Sequence, residues 1–390
     1  MDSAVARPTT VKQSEVPFLE YPSQHQQDTG RRQCLVFMIP GNPGLIAYYE
    51  PFLRTLRQLL DEREAREGCQ YAFHIYGRNL LGFDDRDHEP AFGTPTAVGG
   101  TTEPFTLEDQ IRCLCEQVQQ VNSSTLPLDP AAGVQRSFDV VVLIGHSVGA
   151  YIALEIFNRH HHQARSLLSS HPPGAASSSF SPASSSSSPP SQPSLALVPL
   201  KSAVLLFPTV SHIARSRSGQ KLDLIRRTPV LARSAHRVAK AFVGLWPAWV
   251  LDAAVRRLLG YPDHAAAATT RFLASRDGIW QALFMGQDEM ATIGEERWGE
   301  ELWEIREVEG SAGGGDRGVK GAKFVFYFAE RDHWVADECR DEFIERRRRH
   351  ENGRTEILID EENIPHAFCI HHSETVAEKV KLWLEDFAGL

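Results

Sequence analysis

Residues 138–154 read FDVVVLIGHSVGAYIAL, an apolar run followed by a serine between two glycines and then by helix-forming residues. This order predicts a buried strand, a sharp turn at Gly145–Gly149 and a helix that begins directly after the turn. So tight a turn leaves no room for side chains beside the serine, which explains the flanking glycines Gly145 and Gly149. Because the turn projects the Ser147 hydroxyl out of the sheet, Ser147 is a candidate nucleophile.

Short β-branched or aromatic runs recur along the rest of the chain and alternate with longer helical patterns. Most of these runs are continuously apolar, as expected where helices cover both faces of a parallel sheet. The alternation predicts an α/β fold with a mostly parallel central sheet and helices on both of its faces. The predicted strands are Leu35–Ile39, Tyr71–Tyr76, Phe138–Ile144, Ala203–Phe207, Phe324–Phe328 and Thr355–Ile359.

The length of 390 residues would allow two or three domains, but the composition indicates one core with additions. Residues 1–30 are rich in Gln, Ser, Thr and Pro and are predicted to form a disordered tail. Residues 166–194 consist largely of Ser and Pro and are predicted to form a disordered loop within the core. Residues 209–310 contain no β-rich run, which indicates a helical cap inserted over the carboxyl edge of the sheet. The core then comprises residues 31–208 and 311–390.

Charge and cysteine content argue against several classes of protein. The net charge of −9 argues against nucleic acid as the main partner, because phosphate binding needs an excess of Lys and Arg. The six cysteines form no CxxC pair, so neither a zinc site nor a disulfide framework is expected, and no other metal or cofactor is implied. No apolar run approaches the roughly 18 residues that a membrane-spanning helix requires, and no secretory signal peptide is expected.

Two backbone N–H groups are candidates for binding the oxyanion that forms when a serine attacks a carbonyl group. The first is the N–H of Val148, at the start of the helix after the turn. The second lies in the loop Pro40–Gly44, which follows the first predicted strand and contains two prolines and two glycines; Asn42 is its most suitable donor. An ordinary strand-to-helix turn is the alternative interpretation of this loop. Tyr48 and Tyr49, just beyond it, either line the acyl pocket or pack against the next helix.

A serine hydroxyl needs a histidine to remove its proton and an acid to orient that histidine. In folds with this kind of nucleophile turn, the acid and the histidine follow late strands, in the order Ser, acid, His. Asp332 follows the strand Phe324–Phe328 and is the preferred acid, with Glu330 and Asp337 as rivals. His366 follows the last predicted strand and precedes the C-terminal helix, so it is the candidate base.

Taken together, these features resemble the lipid droplet-associated hydrolase family, a branch of the α/β-hydrolases. The resemblance runs from about residue 34 to about residue 385 and rests on several segments. These segments are Ile39–Gly44 with Tyr48 and Tyr49, Gly145–Tyr151, Leu206–Thr209, Ser216 and Gly219, Met285–Met290, Asp332–Trp334, and His366–Phe368. The resemblance implies an α/β-hydrolase fold with an inserted helical cap. It also implies a catalytic triad of Ser147, Asp332 and His366.

The function implied by this resemblance is that of a lipid droplet-associated serine hydrolase. It would cleave carboxylic esters of hydrophobic lipids, with sterol esters as a candidate because weak sterol ester hydrolysis is attributed to some family members. The expected location is the lipid droplet surface and the cytoplasm, with the endoplasmic reticulum membrane face as a further candidate. Two alternatives stay open: a droplet-surface or interaction protein with little turnover, and an acyltransferase that uses the same triad.

The segment 238–259 within the predicted cap suggests how the chain would contact a lipid surface. It contains Trp246, Trp249 and several aliphatic residues, with Lys and Arg at its ends. Such a segment suits insertion into a lipid monolayer without spanning it. The alternative is a cap helix packed over the acyl pocket. Because the protein is acidic overall, apolar insertion would have to lead any contact with lipid.

Overall fold

The structure, a computed structural model, describes residues 17–96, 100–123, 137–169, 195, 198–303, 322–349 and 355–388. Within these residues one sheet has seven strands, in the spatial order first, third, second, fourth, fifth, sixth, seventh. The first strand is antiparallel to the third, and every other neighbouring pair is parallel. The strands are β1 (Phe18–Tyr21), β2 (Arg32–Ile39), β3 (Tyr71–Arg78), β4 (Val140–His146), β5 (Leu200–Leu206), β6 (Lys323–Phe328) and β7 (Thr355–Ile359).

Helices connect most of the strands, as parallel pairing requires. In the described residues the α-helices are α1 (Glu50–Glu64), α2 (Leu107–Ser123), α3 (Val148–Ser169), α4 (Arg217–Arg227), α5 (Pro229–Gly244), α6 (Ala248–Leu258), α7 (Asp263–Ala274), α8 (Gly278–Thr292), α9 (Glu300–Trp303), α10 (Asp337–Arg349), α11 (Phe368–His371) and α12 (Ser373–Ala388).

Both faces of the sheet are covered by helices, which explains why its central strands are so apolar. Every residue of β4 is buried, and β2 is buried except at its first residue. On β6, alternate side chains point to opposite faces. Phe324 contacts Phe157 of α3 on one face, whereas Tyr327 contacts Trp383 of α12 on the other. The predicted fold class is therefore confirmed, and the six predicted strands are present as β2–β7.

The predicted disordered tail needs a correction, because residues 18–21 form the edge strand β1. This strand pairs with the end of β3, with Phe18 opposite Arg78. Leu19 is buried in the core, and the Phe18 ring stacks on Tyr76. One buried apolar side chain and backbone pairing along an existing strand are enough to order four residues, although the surrounding composition is polar. Residues 1–16 of the predicted tail lie outside the described residues.

The first residues of the segment 166–194, which is predicted to be a Ser- and Pro-rich loop, belong to a helix. Helix α3 continues to Ser169, so its last turn includes the first residues of that segment. Ala164 and Arg165, just before it, favour helix, and the helix extends beyond them. Residues 170–194 lie outside the described residues.

Among the described residues six α-helices, α4–α9, lie between β5 and β6 in the chain, and we call the first five of them, α4–α8, the inserted helices. They occupy much of residues 209–310, where the sequence predicts a cap; residues 304–310 lie outside the described ranges. No single helix in the described part of the chain is long and apolar enough to cross a membrane. Taken together, helices α5 and α6 are long and apolar enough to cross a membrane, but they meet at a bend of 98°.

Candidate active site

Ser147 stands at the sharp turn between β4 and α3. Its backbone has a φ of +56°, in the left-handed region that a non-glycine residue seldom adopts. A Cβ at Gly145 would overlap the backbone carbonyl of Gly149, and a Cβ at Gly149 would overlap the carbonyl of Ile39. The two glycines therefore allow β4, α3 and the end of β2 to meet at this point, as the sequence predicts for the turn.

Three predicted residues from separate loops meet at this turn. The Nε2 atom of His366 lies 2.9 Å from the Ser147 Oγ, and its Nδ1 atom lies 2.6 Å from the Oδ2 of Asp332. Because a carboxylate can only accept, the Nδ1 nitrogen donates to Asp332 and Nε2 is left to accept from the serine hydroxyl. The side chains of His366 and Asp332 are almost fully buried, which protects both hydrogen bonds from competition with water.

Of the candidate acids, the fold brings only Asp332 to His366. Burial by itself would raise the pKa of Asp332, but the neighbouring His366 and the N–H of Trp334 lower it below its ordinary value. Asp332 is therefore ionised at neutral pH. Glu330 is exposed, and Asp337 begins α10, where its exposed side chain pairs with Arg340.

The loop after β2 lies directly beside the candidate nucleophile. A Cβ added at Gly41 would lie only 2.9 Å from the Cβ of Ser147, so no side chain fits between loop and serine. Among the described residues, neither the Asn42 N–H nor the Val148 N–H has a hydrogen-bond acceptor. Within this part of the chain both predicted oxyanion donors are therefore available to a ligand.

A hydrogen-bonded chain that the sequence did not predict connects this loop to the candidate base. The N–H of Gly41 donates to the Tyr49 hydroxyl at 3.0 Å, and that hydroxyl lies 2.7 Å from Nδ1 of His146. Nε2 of His146 lies 2.8 Å from the backbone carbonyl of His366 and must donate to it, so Tyr49 donates to Nδ1. Burial lowers the pKa of His146 to about 3, which keeps this ring neutral. No local sequence signal marks His146 for this role.

An apolar cavity of about 540 Å³ opens above Ser147, between the sheet edge and the inserted helices. Its polar lining includes Lys221, Thr269 and Glu289. The Thr269 hydroxyl forms a hydrogen bond of 2.9 Å with the Tyr48 hydroxyl. Burial raises the pKa of Glu289 to about 8. The apolar lining includes Ile213, Leu222, Ile225, Phe272, Leu283 and Ile370. Tyr48 and Tyr49 both reach the cavity, so both line it, and Tyr49 also belongs to the hydrogen-bonded chain.

No metal site is evident in the part of the chain that the structure describes. No group of three or more His, Cys, Asp or Glu side chains there is arranged to hold a metal ion. All six cysteines are free thiols.

Comparison with known proteins gives consistent matches along nearly the whole chain. The lipid droplet-associated hydrolase of Gallus gallus is 25% identical to this chain, and the match covers 91% of this chain and 85% of the relative. The lipid droplet-associated hydrolase of Homo sapiens is 23% identical, and the match covers 93% of this chain and 88% of the relative. The solved structure of the peroxisomal α/β-hydrolase Lpx1 from Saccharomyces cerevisiae superposes with a TM-score of 0.50 at 12% identity. That superposition covers 95% of this chain and 81% of Lpx1, and it supports the α/β-hydrolase fold.

The family model described as lipid-droplet associated hydrolase matches residues 32–369. This range contains the nucleophile turn, the loop after β2, the inserted helices, the candidate acid and the candidate base. The chain belongs to the lipid droplet-associated hydrolase family.

Proposed function

We propose that this protein is a serine hydrolase that cleaves carboxylic esters of hydrophobic lipids. The observation that supports this most directly is the chain of hydrogen bonds from Ser147 through His366 to Asp332 at the base of an apolar cavity. A buried serine–histidine–aspartate arrangement activates a hydroxyl for attack on a carbonyl carbon. Membership of a hydrolase family supports the same class of reaction.

In the proposed reaction, the Ser147 oxygen attacks the ester carbonyl carbon while His366 takes the hydroxyl proton. Asp332 orients the imidazole and stabilises the imidazolium that forms. The N–H groups of Asn42 and Val148 hold the oxyanion of the tetrahedral intermediate. As the C–O bond breaks, His366 gives the proton to the leaving alcohol. Water, deprotonated by His366, then attacks the acyl-enzyme and releases the carboxylic acid and free Ser147.

The lining of the cavity supports a lipid ester as the substrate. Most of its lining is aliphatic or aromatic, and its volume of about 540 Å³ falls in the range of pockets that enclose most of a drug-sized ligand. A long acyl chain or a sterol ring would bury apolar surface there and gain about 25 cal/mol for each Å² removed from water. Sterol esters are therefore one candidate among esters of hydrophobic alcohols.

A panel of emulsified sterol, glyceryl and retinyl esters tests this function. We expect release of free fatty acid from at least one ester, and none above background from Ser147→Ala under the same conditions. Adding a soluble alcohol acceptor separates hydrolysis from acyl transfer, because transfer would yield a new ester instead of free acid. Equal release from both proteins would exclude the proposed nucleophile. No release from any ester would favour a surface protein with little turnover.

We further propose that helices α5 and α6 attach the protein to the lipid monolayer of a droplet. Both helices are amphipathic, yet α5 has no buried residue and α6 has only Val255. Helix α5 also contains Arg233, Arg237 and Lys240 and no acidic residue, which suits a surface of phospholipid headgroups. The large apolar residues exposed on this pair and at its ends are Val230, Leu231, Val238, Phe242, Leu245, Trp246, Trp249, Leu258 and Leu259.

The bend between α5 and α6 suits a segment that dips into one leaflet and returns. Three of its exposed residues, Leu245, Trp246 and Trp249, lie at or next to the 98° bend. Insertion of this corner would leave the charged ends of both helices at the headgroups. The relatives in chicken and human are named for lipid droplets, which supports the same location for this chain.

A triple variant in which serine replaces Leu245, Trp246 and Trp249 should float with artificial droplets at least about tenfold less than wild type. The reason is that each large apolar side chain buried in the monolayer contributes about 1.5–3 kcal/mol to binding. Hydrolysis of a short water-soluble ester should be unchanged. Leu382→Ser is the matched control, because Leu382 is an exposed leucine on α12. If the triple variant floats as well as wild type, α5 and α6 are not the anchor.

A further inference from the structure

The side chain of Asn42, the proposed oxyanion donor, is held by helix α8 and not by its own loop. Its Nδ2 donates to the backbone carbonyl of Ala282 and to Oε1 of Glu289, both at 3.0 Å. Gly286 lies between these two partners on α8; a Cβ there would make an ordinary contact with Nδ2 at 3.6 Å but would overlap the Leu222 side chain, 2.7 Å from its Cδ2. Both N–H bonds of the side-chain amide are therefore directed at α8, and this fixes the rotation of Asn42.

Glu289 is an unusual residue to find at this contact. It is only 4% exposed and lines the cavity, and in the described ranges no Lys, Arg or His forms an ion pair with it. Burial raises the pKa of Glu289 to about 8, the hydrogen bond from Asn42 opposes this rise, and the charge of Asp288 adds to it. The carboxyl group is therefore neutral at pH 7. Asp288 itself points elsewhere and accepts the N–H of Leu107 at 2.7 Å.

Other ionisable groups also line the cavity that Glu289 faces. They are Tyr48, Tyr49, His146, Lys221, Tyr261, His333, His366 and Cys369. Burial raises the pKa of the three tyrosines and of the Cys369 thiol and lowers that of His146, so these groups stay neutral around pH 7. His366 is the proposed base and must be neutral to accept a proton. Glu289 is the only carboxyl group among the described residues that line the cavity, and burial raises its pKa to about 8.

From this geometry, and on the basis of the proposed function, we propose that Glu289 is a positioning residue for the oxyanion site. It holds the Asn42 side chain so that the Asn42 N–H stays directed at the reacting carbonyl oxygen. A donor fixed before the reaction stabilises the developing charge without reorganisation cost. The neutral carboxyl group also keeps negative charge away from a region where the substrate oxygen itself becomes negative.

Two consequences separate this role from simple packing. Above about pH 8, Glu289 loses its proton, and a negative charge next to the oxyanion donor opposes oxyanion formation, so kcat should fall. Glu289→Gln keeps an oxygen that accepts from Asn42 and cannot ionise. Glu289→Leu fills the same space with an apolar side chain of similar size. It leaves the Asn42 amide without this acceptor, so the amide can rotate.

The test measures kcat and KM for a short soluble ester between about pH 6 and about pH 10, with the full-length protein. We expect wild type to lose activity as the pH rises through about 8. Glu289→Gln should keep the neutral-pH rate and lose this alkaline fall. Glu289→Leu should lower kcat about 10-fold or more, with KM changed little, since loss of a whole oxyanion donor costs about 10²–10³-fold. Asp288→Asn, the control on the adjacent residue, should keep the alkaline fall.

An alkaline fall that persists in Glu289→Gln, or a wild-type kcat in Glu289→Leu, would overturn the proposal. Labelling of each variant with a fluorophosphonate distinguishes failure of this inference from failure of the proposed function. If wild type is not labelled, the proposed nucleophile is wrong. If wild type and variants are labelled and their pH profiles coincide, only the role of Glu289 is wrong.

Thermal unfolding gives a readout that does not depend on activity. Because the pKa of Glu289 is raised from 4.5 to about 8 on folding, its contribution to stability is fully present below about 4.5 and is lost as the pH rises through about 8. The Tm of wild type should therefore decline over this interval more than the Tm of Glu289→Gln. Parallel Tm profiles would contradict a protonated Glu289 even if the leucine variant did not fold.

Discussion

Replacing Ser147 with alanine should lower kcat for the best ester substrate by roughly 10⁶-fold, the scale of loss when a triad serine is removed. Alanine has no oxygen to form the acyl-enzyme, so only background hydrolysis and the oxyanion donors are left. KM should change little, because the cavity is unaltered. The Tm should also change little, since Ser147 and alanine both have a Cβ and share the strain of the positive φ. Steady-state kinetics on the purified protein measures the effect.

Ser218→Ala is a suitable control for this prediction. Ser218 lines the same cavity, but its hydroxyl is not part of the hydrogen-bonded chain that ends at Asp332. Its replacement should leave kcat within a few-fold of wild type, as expected for a side chain that does not take part in the reaction. If Ser147→Ala keeps more than about 1% of the wild-type kcat, Ser147 is not the nucleophile.

Replacing His366 with alanine should cause a loss of similar size, again roughly 10⁶-fold in kcat. Without the imidazole nothing accepts the Ser147 proton, and nothing protonates the leaving alcohol. Because serine and histidine act as one unit, the double variant should be about as slow as either single variant. A double variant that is slower than both by the product of the two losses would show independent roles and contradict the proposed mechanism.

His333 provides the matched control for the base. Its ring centre lies 6.0 Å from that of His366 and it lines the same cavity, but among the described residues it has no hydrogen bond to the Ser147 hydroxyl. Burial, and then the proximity of His366, lower the pKa of His333 below its ordinary value, so it is neutral at pH 7. We expect His333→Gln to stay within about tenfold of wild type. Comparable losses in both histidine variants would mean that the base is not specifically His366.

The nucleophile turn could be predicted from the sequence because its determinants are local. A buried strand, two glycines and a helix start lie within 17 residues, 138–154, and the chain needs no distant partner to form the turn. The acid was less certain, because Glu330, Asp332 and Asp337 all follow the same strand. The fold favours Asp332 because the turn after β6 directs its carboxylate to His366.

Outside the order Ser, acid, His, features that depend on distant contacts could not be predicted. Asn42 and Ala282 are 240 residues apart in the chain, and Tyr49 and His146 are 97 residues apart. No spacing rule connects such pairs, because the inserted helices and the sheet first have to pack together. The edge strand β1 was missed for another reason. The composition of residues 1–30 is dominated by polar residues, and four residues with one buried side chain do not alter that average.

The most direct test of the central claim is mass spectrometry of the protein after reaction with a fluorophosphonate. An activated serine displaces fluoride from phosphorus and forms a stable covalent adduct, whereas an ordinary serine hydroxyl is far less reactive. We predict one adduct per molecule, located on the peptide that contains Ser147, with none in Ser147→Ala and a strongly slowed reaction in His366→Ala. Wild type without an adduct, or an adduct that persists in Ser147→Ala, would contradict the proposed serine hydrolase.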